Sequence, residues 1–70
     1  MSAPAFFSEK VAAAIKGKAP LDQLEIIRNL VAEADAAKQA GSGPPLDDIN
    51  AARRLYIRIA GELYRARNAA

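Results

Sequence analysis

Residues 46–68 decide the fold of this chain, and they read LDDINAARRLYIRIAGELYRARN. Plotted at roughly 100° per residue, the main apolar side chains of this stretch gather within an arc of about 140°. The members of this arc are Ile49, Ala52, Leu55, Tyr56, Ile59, Ala60, Leu63 and Ala66. An apolar arc of this width predicts a helix that lies on a hydrophobic core.

Two further groups of side chains in the same stretch lie off the core face. Arg54, Arg58 and Arg65 fall within about 40° of one another on nearly the opposite side. Ile57 and Tyr64 lie between the arginines and the core face. Aromatic residues and arginine are enriched among the contacts that carry most of the energy at protein interfaces. We therefore predict a partner-binding edge made of Arg53, Ile57, Tyr64 and Arg67.

A second long helix is predicted over residues 20–40, which are rich in the helix formers Ala, Leu, Glu and Lys. Its apolar residues recur at the alternating three- and four-residue spacing of a heptad seam, at Leu24, Ile27, Val31 and Ala34. Ile26, Leu30 and Ala37 widen this face to about 160°. A face this wide exceeds what one neighbour needs. We expect it to contact one helix of the same chain and one helix of a second copy.

The segment 41–45, Gly-Ser-Gly-Pro-Pro, separates the two long helices. Its glycines end the preceding helix and its prolines prevent a continuous rod. A connection this short makes neighbouring helices antiparallel. The predicted fold is therefore all-α: an antiparallel helical hairpin over about 20–40 and 46–68, with a short N-terminal helix over about 5–16 that stops at Gly17.

The length and composition predict one domain, residues 1–70, that works as a dimer. A chain of 70 residues leaves a large share of its surface exposed, so a single small core is marginally stable. Small domains gain stability from disulfides, metals or a second subunit, and this chain has neither Cys nor His. We expect a homodimeric four-helix-type bundle, whose core and dimer contacts come from Leu24, Ile27, Leu30, Val31, Leu55, Tyr56, Ile59 and Leu63.

The same composition argues against catalysis. Without Cys or His there is no thiol nucleophile, no imidazole base and no zinc site of the usual ligands. The aliphatic hydroxyls are Ser2, Ser8 and Ser42, and none has an activating partner at a recognisable spacing. The carboxylates lie at helix starts and on outer faces. We predict no catalytic residue, no metal and no cofactor.

The charge is balanced and the location is predicted to be the cytoplasm. Ten basic and eight acidic residues give a net charge of +2 with a pI near 9.3, which is modest for a nucleic-acid-binding protein. The first residues lack the basic start and apolar run of a signal peptide. No stretch approaches the roughly 20 apolar residues that a membrane span needs.

These observations predict a small non-enzymatic module that acts by binding, as an adaptor or inhibitor of a larger protein. Nucleic-acid binding is an alternative, in which Arg54, Arg58 and Arg65 contact the phosphates of structured RNA or DNA. Glu62 follows Arg58 by four residues and can pair with it, which weakens that alternative. A second alternative is a structural subunit or assembly factor of a larger particle.

Overall fold

The computed structural model describes residues 6–68, which contain α1 (Phe7–Ile15), α2 (Pro20–Gln39) and α3 (Leu46–Asn68). The all-helical prediction is confirmed for this range, in which no strand occurs. The bounds of α3 are those predicted from the sequence, and α2 ends one residue earlier than predicted. α1 ends at Ile15 instead of Lys16, and its predicted start near Ala5 lies outside the described residues.

Helix α2 ends in a glycine motif that turns the chain sharply. Gly41 has a φ of 89°, in the left-handed region where a side chain is strained. Its N–H donates to Lys38 O at 3.0 Å, and the N–H of Ser42 donates to Ala37 O at 2.9 Å. This is the hydrogen-bond pattern of a Schellman motif, which satisfies carbonyl groups that a helix end leaves open.

The core lies where the three helices meet. Within residues 6–68, seven apolar side chains are buried: Val11, Ile15, Ile27, Ala34, Ile49, Ala52 and Ile59. Val11 of α1, Ile27 of α2 and Ile49 of α3 have no exposed surface, so each helix contributes one fully buried side chain. A ring of partly buried residues, which includes Leu24, Leu30 and Tyr56 in this range, packs around the centre.

Helix α1 packs on both longer helices of its own chain. α2 and α3 lie side by side, and residues late in α2 adjoin residues early in α3: Asp35 meets Arg53, whereas Leu24 shares a depression with Leu63. The fold measures 45 × 30 × 17 Å.

Candidate protein-interaction surfaces

Helix α1 is fixed on one face of the α2–α3 pair by polar contacts at both of its ends. The carboxylate of Asp48, in the first turn of α3, accepts hydrogen bonds from the N–H of Phe7 at 2.6 Å and from the N–H of Ser8 at 3.2 Å. It also accepts one from the Ser8 hydroxyl at 2.5 Å. At the other end, Gln23 of α2 donates its side-chain amide to Ile15 O at 3.0 Å. α1 therefore covers the side of the pair on which Gln23 and Asp48 lie.

These contacts alter the titration of Asp48. The hydrogen bond from the Ser8 hydroxyl lowers the pKa of the Asp48 carboxyl most, and the backbone N–H groups of Ser8 and Phe7 lower it further, while partial burial opposes them. The net direction is downward because hydrogen bonds to a carboxylate stabilise its charged form. The negative charge also faces the first turn of α1, where the helix dipole favours an anion.

The opposite side of the α2–α3 pair is uncovered; it is apolar at its centre and polar beside Leu21, where Glu25 and Asn29 line it. An open depression of about 310 Å³ lies between the helices, lined by Ile27, Arg28, Val31, Arg53 and Tyr56. It continues past Leu21 and Leu24 and then along Ala60, Leu63 and Tyr64. Among residues 6–68, no residue of α1 lines any of these depressions. We call this surface the open groove and define it by Leu24, Val31, Tyr56 and Leu63.

The predicted dimer and core residues divide between the centre and this groove. Ile27 and Ile59 are buried at the junction of the helices. Leu30 and Leu55 are half-buried against the core cluster. The four residues that define the open groove are also half-buried, and they line depressions that are accessible to a partner.

The predicted partner-binding edge is exposed, but its four residues differ in the contacts that they already make within the chain. Ile57 and Tyr64 are each 68% exposed, which is high for large apolar side chains. Tyr64 and Arg67 also line the end of the open groove. Arg53 is engaged within the chain: it forms an ion pair with Asp35 at 2.5 Å and donates to Asn50 Oδ1 at 3.2 Å. Its guanidinium therefore ties α3 to α2 as well as lining the groove.

The arginines assigned to the nucleic-acid alternative lie on the outer surface of α3. Arg54, Arg58 and Arg65 are exposed. Arg53–Asp35 is the one ion pair formed between residues 6–68, so the suggested pairing of Arg58 with Glu62 does not form there. The three side chains present positive charge to solvent.

Sequence reasoning missed the role of Asp48 and Gln23. It counted Asp48 only among the carboxylates at helix starts, because the residue lies in the first turn of α3. The contact with α1 spans 40 residues of sequence, and no local pattern signals it. Glu9 is a local signal for the start of α1, because its side chain accepts a hydrogen bond from the N–H of Phe6 at 3.0 Å. It does not indicate which helix α1 packs against.

Within the described range, no helix combines the length and apolar character needed to cross a membrane. The same residues contain no group of three or more acidic side chains placed to hold a metal ion. Comparisons with protein-family models, with curated proteins and with solved structures found no match for this chain. Its function is therefore inferred from its own residues and their geometry.

Proposed function

We propose that this chain is a non-catalytic interaction module that works as a homodimer in the cytoplasm. In this proposal α2 and α3 form an antiparallel hairpin, and two hairpins pair through their open grooves to give a four-helix bundle. The two α1 helices lie on the outside. The dimer then acts on a larger protein by binding, as an adaptor or inhibitor.

The open groove is the observation that carries the proposal. Its residues are apolar at the centre and lie on the side that α1 leaves uncovered, where Leu24, Val31 and Tyr56 have no helix above them. Apolar surface removed from water stabilises a complex by roughly 25 cal/mol per Å². A second copy supplies an identical apolar face, which suits the self-complementary interface of a two-fold dimer.

The size of the surface also fits a dimer. A helix of 20 residues is about 30 Å long, and two adjacent helices span about 20 Å. The flat area of the groove side is therefore roughly 600 Å², to which the relief of the side chains adds. A standard stable interface buries roughly 800 Å² per partner. Two such faces together bury roughly 1,200 Å², which is the lower end of the size range of stable interfaces.

Sedimentation equilibrium over a range of concentrations tests this proposal. Leu24→Glu places a charge in the groove and is expected to convert the dimer to a monomer. Leu21→Glu, at a residue that is 70% exposed, weakens the dimer with less risk to the fold. Ala13→Glu adds the same charge to an exposed position of α1, on the side of the pair away from the groove, and is expected to leave the dimer intact.

Nucleic-acid binding is the second candidate, favoured by the exposure of Arg54, Arg58 and Arg65. Phosphate contacts of this kind make affinity fall steeply with salt. Titration of the chain with a generic RNA duplex at low salt tests it, with Arg54→Ser, Arg58→Ser, Arg65→Ser as the matched variant. Binding that salt and the triple variant both abolish would support this candidate over a protein partner.

A further inference from the structure

The solvent side of α3 carries a second heptad pattern apart from the core face, and this pattern meets the open groove at its C-terminal end, where Tyr64 and Asn68 lie. Its members follow spacings of four, three, four, three and four residues: Asn50, Arg54, Ile57, Gly61, Tyr64 and Asn68. We call these six residues the outer seam. Such spacing places side chains in one line along a helix, as in a coiled coil. Ile57 and Tyr64 stand in this line with 68% of their surface exposed.

Gly61 lies in the middle of the outer seam, and packing within the chain does not explain it. A Cβ added to Gly61 would meet no atom within 4 Å, so a larger residue fits there. Glycine in a helix interior is less favourable than alanine. In a helix–helix contact, however, a missing side chain lets the opposing backbone approach closely and leaves a hole for one of its side chains.

Arginines flank the outer seam on both sides. With Ile57 and Tyr64 at the d positions of a heptad, Arg58 and Arg65 occupy the adjoining e positions, while Arg53 and Arg67 occupy g positions. Charges at e and g lie across from the same positions of a partner helix and set which partner is accepted. The positive charge is therefore concentrated along the second half of the outer seam, at Arg58, Arg65 and Arg67, because Arg53 is paired with Asp35.

We propose that the outer seam is the docking site for an amphipathic helix with acidic flanks, supplied by the larger protein that the proposed function requires. Ile57 and Tyr64 pack between its apolar side chains, and Gly61 receives one of them. Its Glu or Asp residues lie opposite the flanking arginines, whose charges steer the encounter and fix the register.

A second copy of the chain does not fit this site. Two outer seams in contact would bring arginine flanks against arginine flanks, and like charges across an interface oppose association. The same flanks alone could attract a phosphate backbone. Contacts to phosphates, however, need neither the exposed Ile57–Tyr64 pair nor a glycine between them, and these apolar features favour a helix.

The probe is a synthetic peptide of three heptads with Leu at the a and d positions and Glu at e and g. A staple between b and f positions holds it helical. Its matched control carries Lys at e and g. Fluorescence anisotropy is expected to show saturable binding of the Glu peptide to the full chain, weakening at least fivefold when the salt concentration rises from low to physiological. The Lys peptide is expected to bind at least tenfold more weakly.

Two variants separate the apolar and charged parts of the outer seam. Ile57→Ser, Tyr64→Ser should weaken the Glu peptide at least tenfold, and both positions are exposed enough for the fold to tolerate the change. Arg58→Glu, Arg65→Glu should invert the preference, so that the Lys peptide binds better than the Glu peptide. Circular dichroism of each variant checks that it remains helical.

The proposal is overturned by absent binding of the Glu peptide, or by binding that neither variant changes. It is also overturned if an RNA duplex competes with the peptide and loses affinity in the arginine variant but not in the Ile57→Ser, Tyr64→Ser variant. Sedimentation of the same samples keeps the two proposals distinct. A dimer without peptide binding rejects the docking site alone, and a monomer that binds the peptide rejects the dimer alone.

Discussion

At the scale of single residues, Asp48 connects two helices that are distant in sequence. Its carboxylate accepts three hydrogen bonds from Phe7 and Ser8 while its backbone lies in the first turn of α3. The free N–H groups of a helix start need acceptors, and α1 obtains them from α3. The docking of α1 therefore depends on the ionised form of Asp48.

Replacing Asp48 by alanine should lower the melting temperature, and the size of the effect should depend on pH. The pKa of Asp48 is lowered in the folded chain, so its contribution is complete above the unfolded pKa of about 3.9 and is lost as the pH falls through the lower, folded pKa. The difference between the melting temperatures of the wild type and Asp48→Ala should be constant from about pH 7 to pH 5. It should shrink as the pH falls below about 4.

Asp47→Ala is the control for this experiment, because it removes a carboxylate from the same turn without touching α1. Its effect should be smaller and reflect only the dipole of α3. An Asp48→Ala melt that runs parallel to the wild type down to pH 2 would show that the carboxylate does not hold α1.

Replacing Gly61 or Gly43 by alanine should change the free energy of unfolding in opposite directions. Gly61→Ala should stabilise the fold by about 1 kcal/mol, because its site is helical and open. Gly43→Ala should destabilise it by at least about 1–2 kcal/mol, because Gly43 has a φ of 94° and an added Cβ would lie 3.0 Å from Ala37 Cβ. Urea unfolding measures the change in unfolding free energy for both variants. Two changes of the same sign would contradict the backbone geometry of these glycines.

At the scale of elements, periodicity predicted the helices well because each obeys local rules. The 23 residues of α3 combine a continuous apolar arc with Pro-rich and Gly-rich sequence before them, and both signals are local. The surroundings of α2 were harder to predict. Part of its wide apolar face was assigned to a second copy, yet Ile26 on this face lies beside Lys18, just beyond α1.

The candidate surfaces could be predicted only in part. The exposure of Ile57 and Tyr64 followed from their position off the core arc. The open groove could not be located in advance, because its position depends on which face α1 covers. Asp48 and Gln23 hold α1 there together with the buried Val11 and Ile15, through contacts between separate helices that no single-helix pattern contains.

Ile27 tests whether the three helices share one core. It is fully buried among side chains of all three helices, so Ile27→Ala should destabilise the fold by about 2–5 kcal/mol through lost burial and a cavity. Ile57→Ala, the same substitution at an exposed site of α3, should change stability by no more than about 0.5 kcal/mol. Similar unfolding free energies for the two variants would mean that the core is not centred on Ile27.

At the scale of the whole molecule, the chain has more apolar surface than its own helices cover. α1 lies on one side of the α2–α3 pair, and the open groove lies on the other. The outer seam lies on the solvent side of α3, at the margin of the groove. In our proposals, the open groove joins two copies of the chain and the outer seam binds a helix of a partner protein.

Sedimentation equilibrium of the unmodified chain tests the central claim most directly, namely that the open groove pairs with a second copy. The account predicts a mass twice the 7.4 kDa of one chain at micromolar concentration, reduced to that of one chain by Leu24→Glu and unchanged by Ala13→Glu. A single species of 7.4 kDa at every concentration, with a cooperative melt, would contradict it.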